Sequence, residues 1–180
     1  MAELIDGLLV LSRCSRGGAL RREPVDLGAL AVAVLGRLAQ AEPQRQVDWQ
    51  VEAGLMACGD RRLLGQMLEN LLGNAWKYSA PRLQATIRVY AETDAQSGER
   101  WFCVADDGAG FDMAHAARLF QPFQRLHRQD EFPGLGIGLA NVQRIVRRHG
   151  GRIEAHGEPD RGAVFRFTLP ADTALPAEAA

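Results

Sequence analysis

The sequence lacks the features that would place it in several classes of protein. Its three cysteines, Cys14, Cys58 and Cys103, are odd in number, widely spaced and form no Cys-x-x-Cys pair, which signals neither a disulfide framework nor a zinc site and fits a reducing, cytoplasmic setting. It has no apolar run of membrane-spanning length, so no membrane span is expected in this chain. The N-terminal MAELIDGLLVLSR lacks the charged start, apolar stretch and small-residue cleavage site of a secretory signal. A formal net charge of -1, from 21 basic and 22 acidic residues, gives no global attraction to nucleic acid or an anionic membrane. Any anion must therefore be held locally. Lysine is also nearly absent: Lys77 is the single one among the 21 basic residues.

What remains is an ordinary globular composition, 180 residues with 47% hydrophobic and 24% charged, enough for one domain with a short appendage. Ile5, Leu8 and Leu9 form a helix-period stripe in residues 1–14, and Gly17-Gly18 breaks it. Asp26 is placed to cap a helix running to about Gln40. Gln46–Val51 alternates as a strand. Asp60 is the expected cap of a helix with a buried stripe at Leu64, Leu68, Leu71 and Ala75, ending near Tyr78. Ala85–Ala91 and Arg100–Ala105 read as a hairpin, and 107–135 as a long loop holding a short helix. A helix from Gly138 to His149 and two strands, Arg152–Ala155 and Ala163–Leu169, complete the order. Strand pairs adjacent in sequence, interleaved with helices, predict a mixed sheet with helices on one face: an α/β fold, specifically a two-layer α/β sandwich.

Three constellations carry chemistry. On the central helix, Asn70, Asn74 and Lys77 are four and three residues apart and share a face. Two carboxamide oxygens suit a hard cation such as Mg²⁺, and an ammonium suits phosphate, although a solvated polar face would show the same spacing. Next, the strand ending Val104-Ala105-Asp106-Asp107-Gly108-Ala109-Gly110-Phe111 places a carboxylate beside two glycines. A carboxylate only accepts hydrogen bonds and so could select an exocyclic amino group such as adenine's; an ordinary Asp-Gly turn is the alternative. Third, Gly134-Leu135-Gly136-Ile137-Gly138-Leu139 opens a helix, where exposed backbone N–H groups and the helix dipole favour a polyphosphate. It matches neither a dinucleotide fingerprint nor a P-loop.

In this order the motifs resemble the catalytic, ATP-binding domain of bacterial sensor histidine kinases, part of the gyrase, Hsp90, kinase and MutL (GHKL) ATPase superfamily. Asn70–Lys77 is similar to the family's N box, Asp106–Phe111 to its first glycine box, Phe120–Phe123 to its F box and Gly134–Leu139 to its second glycine box. The run from Glu131-Phe132-Pro133-Gly134 to His149-Gly150-Gly151-Arg152 is similar to bacteriophytochrome-like kinases. The resemblance implies a Bergerat-type ATP-binding fold with a flexible lid. It implies that Asn74 coordinates Mg²⁺ with help from Asn70, that Lys77 and Arg125 contact phosphate, and that Tyr78 packs on adenine while Asp106 accepts from its amino group. Gly108 and Gly110 would shape that pocket, Phe120 and Phe123 would belong to the nucleotide-binding lid, and Gly134, Gly136, Gly138 and Leu139 would hinge it and meet the phosphates.

Two positions depart from the family: Ala163 stands where a hydroxyl residue is usual, and Leu135 replaces a common Thr. The implied domains are 1–18 as the end of a dimerisation and phosphoacceptor helix pair, 19–170 as the catalytic domain, and 171–180 as a disordered Ala/Pro-rich tail. None of His115, His127, His149 and His156 lies in the N-terminal segment, so the acceptor histidine is expected elsewhere. The expected activity is that of an ATP:protein-histidine phosphotransferase lacking its acceptor. Its expected partners are ATP, the histidine-bearing helices of the parent kinase and, through that kinase, a response-regulator receiver domain. The alternative is a nucleotide-binding regulatory module of the pseudokinase type. A serine kinase of the anti-sigma-factor type is a third reading, opposed by the F box. Because Asn70 stands where superfamily ATPases place a glutamate, and an amide cannot take a proton, steady hydrolysis should be slow.

Overall fold

The computed structural model describes residues 19–124, 132 and 136–170. The expectations for 1–18, 171–180, Arg125, Gly134 and Leu135 lie outside the described residues. The chain enters through β1 (Glu23–Asp26), which turns directly into α1 (Leu27–Ala41). Asp26 ends the strand and caps the helix, its carboxylate accepting the Ala29 N–H at 2.9 Å. β2 (Gln46–Val51) follows, then β3 (Met56–Gly59), a strand not expected from the sequence, which pairs antiparallel with β1 in a two-stranded sheet.

Helix α2 (Arg61–Tyr78) starts from Asp60, whose side chain accepts the Leu63 N–H at 3.2 Å. It carries the chain across to β4 (Gln84–Thr93), which lies parallel to β2; parallel neighbours require such a crossover. β4 and β5 (Arg100–Asp106) form the expected hairpin. A short 3₁₀ helix (Met113–Arg118) lies in the following loop, capped by Asp112. Then come α3 (Gly138–Arg148), β6 (Ile153–Glu158) and β7 (Gly162–Thr168). β6 continues to Glu158, so the turn before β7 is shorter than the sequence suggests. The main sheet has the order β2-β4-β5-β7-β6, mixed as expected.

One face of that sheet, with Ile87, Val89, Phe102, Val104, Phe165 and Phe167, closes on the helical layer through Leu64, Leu68, Leu71, Leu72 and Ile145, all buried. In a folded protein a helix such as α2 draws most of its stability from the packing of its apolar face. Eight residues of α2 are buried, and at roughly 1.5–3 kcal/mol for each large side chain, packing decides its stability. On the opposite face, Trp101 is covered by the guanidinium groups of Arg166 and Arg152, at 4.7 and 5.6 Å from its ring. Arg166 is also paired with Glu154 at 2.7 Å and Glu92 at 3.2 Å. That face is thus closed by side chains rather than by a second helical layer.

α2 and α3 pack together. The fully buried His149, at the C-terminal end of α3, joins them: its Nδ1–H donates to the Ile145 carbonyl at 2.8 Å and its Nε2 accepts the Asp60 N–H at 3.0 Å. Accepting at Nε2 needs the neutral imidazole, whereas Nδ1–H donates in either state. Burial, followed by the nearby Arg22, pushes its pKa below the usual value and keeps it neutral.

Candidate nucleotide site

The stripe next to the buried face of α2 is half-buried, and Asn70, Gly73, Asn74 and Lys77 all lie in it. Helical period puts the amides at the rim of the core, where a polar side chain can face a ligand. Asn70 Nδ2 donates to the Gln66 carbonyl at 2.9 Å, which directs its Oδ1 outward, toward the start of α3. A Cβ on Gly138 would lie 2.7 Å from that oxygen. The N box and the second glycine box are therefore in direct contact. Glu69, the acid beside Asn70, is exposed and paired with Arg37 at 2.6 Å, away from this stripe.

α1, α2 and the 3₁₀ helix each receive an aspartate cap, but Ile137 at the start of α3 makes no side-chain cap bond, and the first turn of α3 has no acidic residue. Gly138 in that turn lies beside Asn70, and a helix start without a side-chain cap is the arrangement that receives an anion. At the end of α2, Lys77 Nζ lies 4.2 Å from the centre of the Tyr78 ring, and Tyr78 packs edge-on against Phe132 at 4.9 Å.

The Tyr78 carbonyl accepts the Ala109 N–H at 3.0 Å, tying α2 to the first glycine box. Gly108 passes so close to this carbonyl that a Cβ would sit 2.5 Å from the oxygen. Gly110, at φ +60°, abuts the Glu158 carbonyl at the end of β6. Only glycine meets both demands without displacing backbone.

The two adjacent carboxylates have different work. Asp107 Oδ1 accepts the Thr86 N–H at 2.9 Å and so closes the edge of the hairpin. Asp106 accepts the Gly108 N–H at 2.9 Å and the backbone N–H of Ala163. Burial, with a smaller push from Asp107, raises the Asp106 carboxyl to about 6. A desolvated acceptor of this kind binds a donor strongly. Ala163 brings only a methyl to this neighbourhood, while its backbone N–H serves Asp106.

In the F box, Phe120 is half-buried against the core. Phe123 is 60% exposed and sits at φ +62°, unusual for a non-glycine residue. Its N–H donates to the Gly136 carbonyl at 3.0 Å, which links the F box to the second glycine box. Leu139 packs partly into the core behind it.

Several contributors lie outside the sequence motifs. Arg45 donates to the Trp76 carbonyl at 2.6 Å and to Ser79 Oγ at 3.2 Å, capping the end of α2 next to Lys77 and Tyr78. Arg82 donates to the carbonyls of Asp107 and Asp160, clamping the first glycine box to the turn before β7. Asn141, in the first turn of α3, is 6% exposed and its Oδ1 is without a partner. Asn141 is discernible in the sequence as an amide within an apolar-periodic helix; the arginine contacts leave no local pattern.

No group of three or more His, Cys, Asp or Glu able to hold a metal occurs among the described residues. Two amides alone are too few for a free-standing Mg²⁺ site, but they suit a cation that arrives with phosphate oxygens and keeps waters. Among the described residues no helix is long and apolar enough to cross a membrane.

A Bergerat-like sandwich with an N-box helix, a carboxylate at a strand end and an uncapped glycine-led helix defines an ATPase class, and residues 59–173 match the family of histidine kinase-, DNA gyrase B-, and HSP90-like ATPases. The chain belongs to that family. Within it, the similarity is to the ATPase domain of sensor histidine kinases. The circadian input-output histidine kinase CikA of Synechococcus elongatus is 33% identical over 97% of this chain and 24% of its own length. The sensor histidine kinase TrcS of Mycobacterium tuberculosis is 35% identical over 94% of this chain and 34% of its own. Full-length ShkA, solved in complex with AMPPNP, superposes with a TM-score of 0.76 and 30% identity, covering 98% of this chain and 37% of that one. The chain thus spans about a quarter to about a third of the length of these relatives.

Proposed function

We propose that this domain binds MgATP between α2, the end of β5 and the start of α3, and presents the γ-phosphoryl to a histidine on an acceptor helix of its parent kinase. The observation that carries the reading is the contact of Asn70 with Gly138, which unites amide oxygens and uncapped helix N–H groups in one place. Asn74 and Asn70 would hold Mg²⁺, and the cation would neutralise phosphate charge when bound. Lys77 supplies a point charge for phosphate, and Arg125 a second one from the lid. Asp106, with Gly108 and Gly110, accepts from the adenine amino group, and Tyr78 packs against the ring. Phe120, Phe123, Gly134, Gly136 and Leu139 belong to the lid and its hinge.

Positioning and charge stabilisation are sufficient for phosphoryl transfer. No side chain on the Asn70 position can deprotonate water, so the nucleotide is kept for the acceptor rather than hydrolysed. Residues 1–18 would be the end of the helix pair that brings the acceptor, and 19–170 the catalytic domain, with a receiver domain served through the parent kinase. Cys58 and Cys103 are buried and joined in no disulfide, in keeping with a reducing cytoplasm.

The test is transfer in trans. The purified domain should neither label itself nor hydrolyse ATP at an appreciable steady rate. Mixed with the two-helix acceptor of its own full-length protein and [γ-³²P]ATP, it should label a histidine, giving an acid-labile, base-stable product. Binding of ATP without labelling, when a related kinase domain does label those helices, would favour the regulatory-module reading instead.

A further inference from the structure

The contact between α2 and α3 is fastened at two places. At one, Asn70 Oδ1 abuts Gly138. At the other, His149 accepts the Asp60 N–H and donates to Ile145. Asn70 lies ten residues beyond Asp60, and Gly138 eleven before His149, so both fastenings are separated by about 15 Å along antiparallel helices. Gly59 is shaped to this junction, since a Cβ there would lie 2.7 Å from Leu64 Cδ1 and 2.8–2.9 Å from the imidazole. Arg22, on the segment entering β1, donates to the His149 carbonyl at 3.3 Å.

We propose that His149 is a positioning residue for the polyphosphate half of the site: it sets the register of α3 on α2 and thereby the approach of the second glycine box to Asn70. It touches no nucleotide. The adenine half rests on other contacts, Asp106 and Gly108 at the end of β5 and the clamp of Arg82 on Asp107 and Asp160. Loosening His149 therefore moves one half of the site and leaves the other in place. The inference rests on the ATP-binding reading above.

The two halves can be read separately by titrating MgATP and adenosine into the same variant at a temperature where circular dichroism shows it folded. His149→Ala should weaken MgATP by about tenfold or more, the scale of an ångström-level misplacement, and leave adenosine nearly unchanged. His149→Gln, whose Oε1 can still accept the Asp60 N–H, should recover most of the MgATP affinity. A merely structural histidine would weaken both ligands together, or neither, and either result in folded His149→Ala overturns the proposal. If His149→Ala does not fold, Gly59→Ala, which presses on the imidazole, should give the same MgATP-selective loss; equal loss for both ligands, or none, overturns it there. Wild-type protein that binds MgATP no better than adenosine would remove the ATP reading itself, a failure visible before any variant is made.

Discussion

Asp106→Asn should make the unliganded domain more stable and its grip on ATP weaker. Burial holds the carboxyl at about 6, above its ordinary 3.8. The native domain therefore takes up a proton between those values that the unfolded chain does not, and its stability from this group rises as pH falls from about 6 toward 3.8. At neutral pH the ionised carboxylate instead costs the fold about 2–3 kcal/mol, since each tenfold difference in proton affinity between the folded and unfolded chain is worth about 1.4 kcal/mol. The amide removes that charge while its oxygen can still accept the Gly108 N–H, so a gain of about 1–3 kcal/mol is expected at a pH of about 7.5. The gain should shrink toward a pH of about 4, where the native carboxyl is already protonated and the unfolded one is becoming so.

For ATP the sign reverses. An amide N–H facing the adenine amino group sets donor against donor, and affinity should fall by about 1–3 kcal/mol, or roughly 5- to 150-fold. Urea unfolding at two pH values and calorimetry measure the two effects. Unchanged ATP affinity in a folded Asp106→Asn protein would mean that adenine is read elsewhere.

Asn74→Ala should have the larger effect on transfer. Asn74 is half-buried beside the core stripe of α2 rather than in it, and alanine is a better helix former, so stability should change by no more than about 0.5 kcal/mol. Phosphorylation of the acceptor helices should nevertheless fall by about 10²-fold or more, because an oxygen that helps stabilise transferring charge is gone. A folded Asn74→Ala domain that transfers at the wild-type rate would remove Asn74 from the proposed Mg²⁺ set.

The contrast between these residues shows what local pattern can reveal. The span of α2 is legible because Asp60 caps it and leucines recur at helical period, and the same period places Asn70, Asn74 and Lys77 on one side. Asp106 is legible as a carboxylate where an apolar strand gives way to Gly108 and Gly110. β3 is not, since Met-Ala-Cys-Gly has no alternation and exists as a strand through its distant partner β1. The parallel pairing of β2 with β4 is likewise a property of the crossover and not of either strand. His149 and Asp60 are 89 positions apart in sequence, and neither residue's neighbours announce the bond. Asn70 and Gly138 each stand out within separate motifs, but their contact needs the packing of α2 on α3.

The most direct test of the central claim is calorimetric titration of the purified domain with ATP, with and without Mg²⁺, alongside thermal melts. Saturable one-site binding is expected, micromolar to millimolar, tightened by Mg²⁺ and shared by ADP, with a matching rise in melting temperature. No heat and no thermal shift at millimolar nucleotide would contradict both the kinase reading and the regulatory-module reading at once.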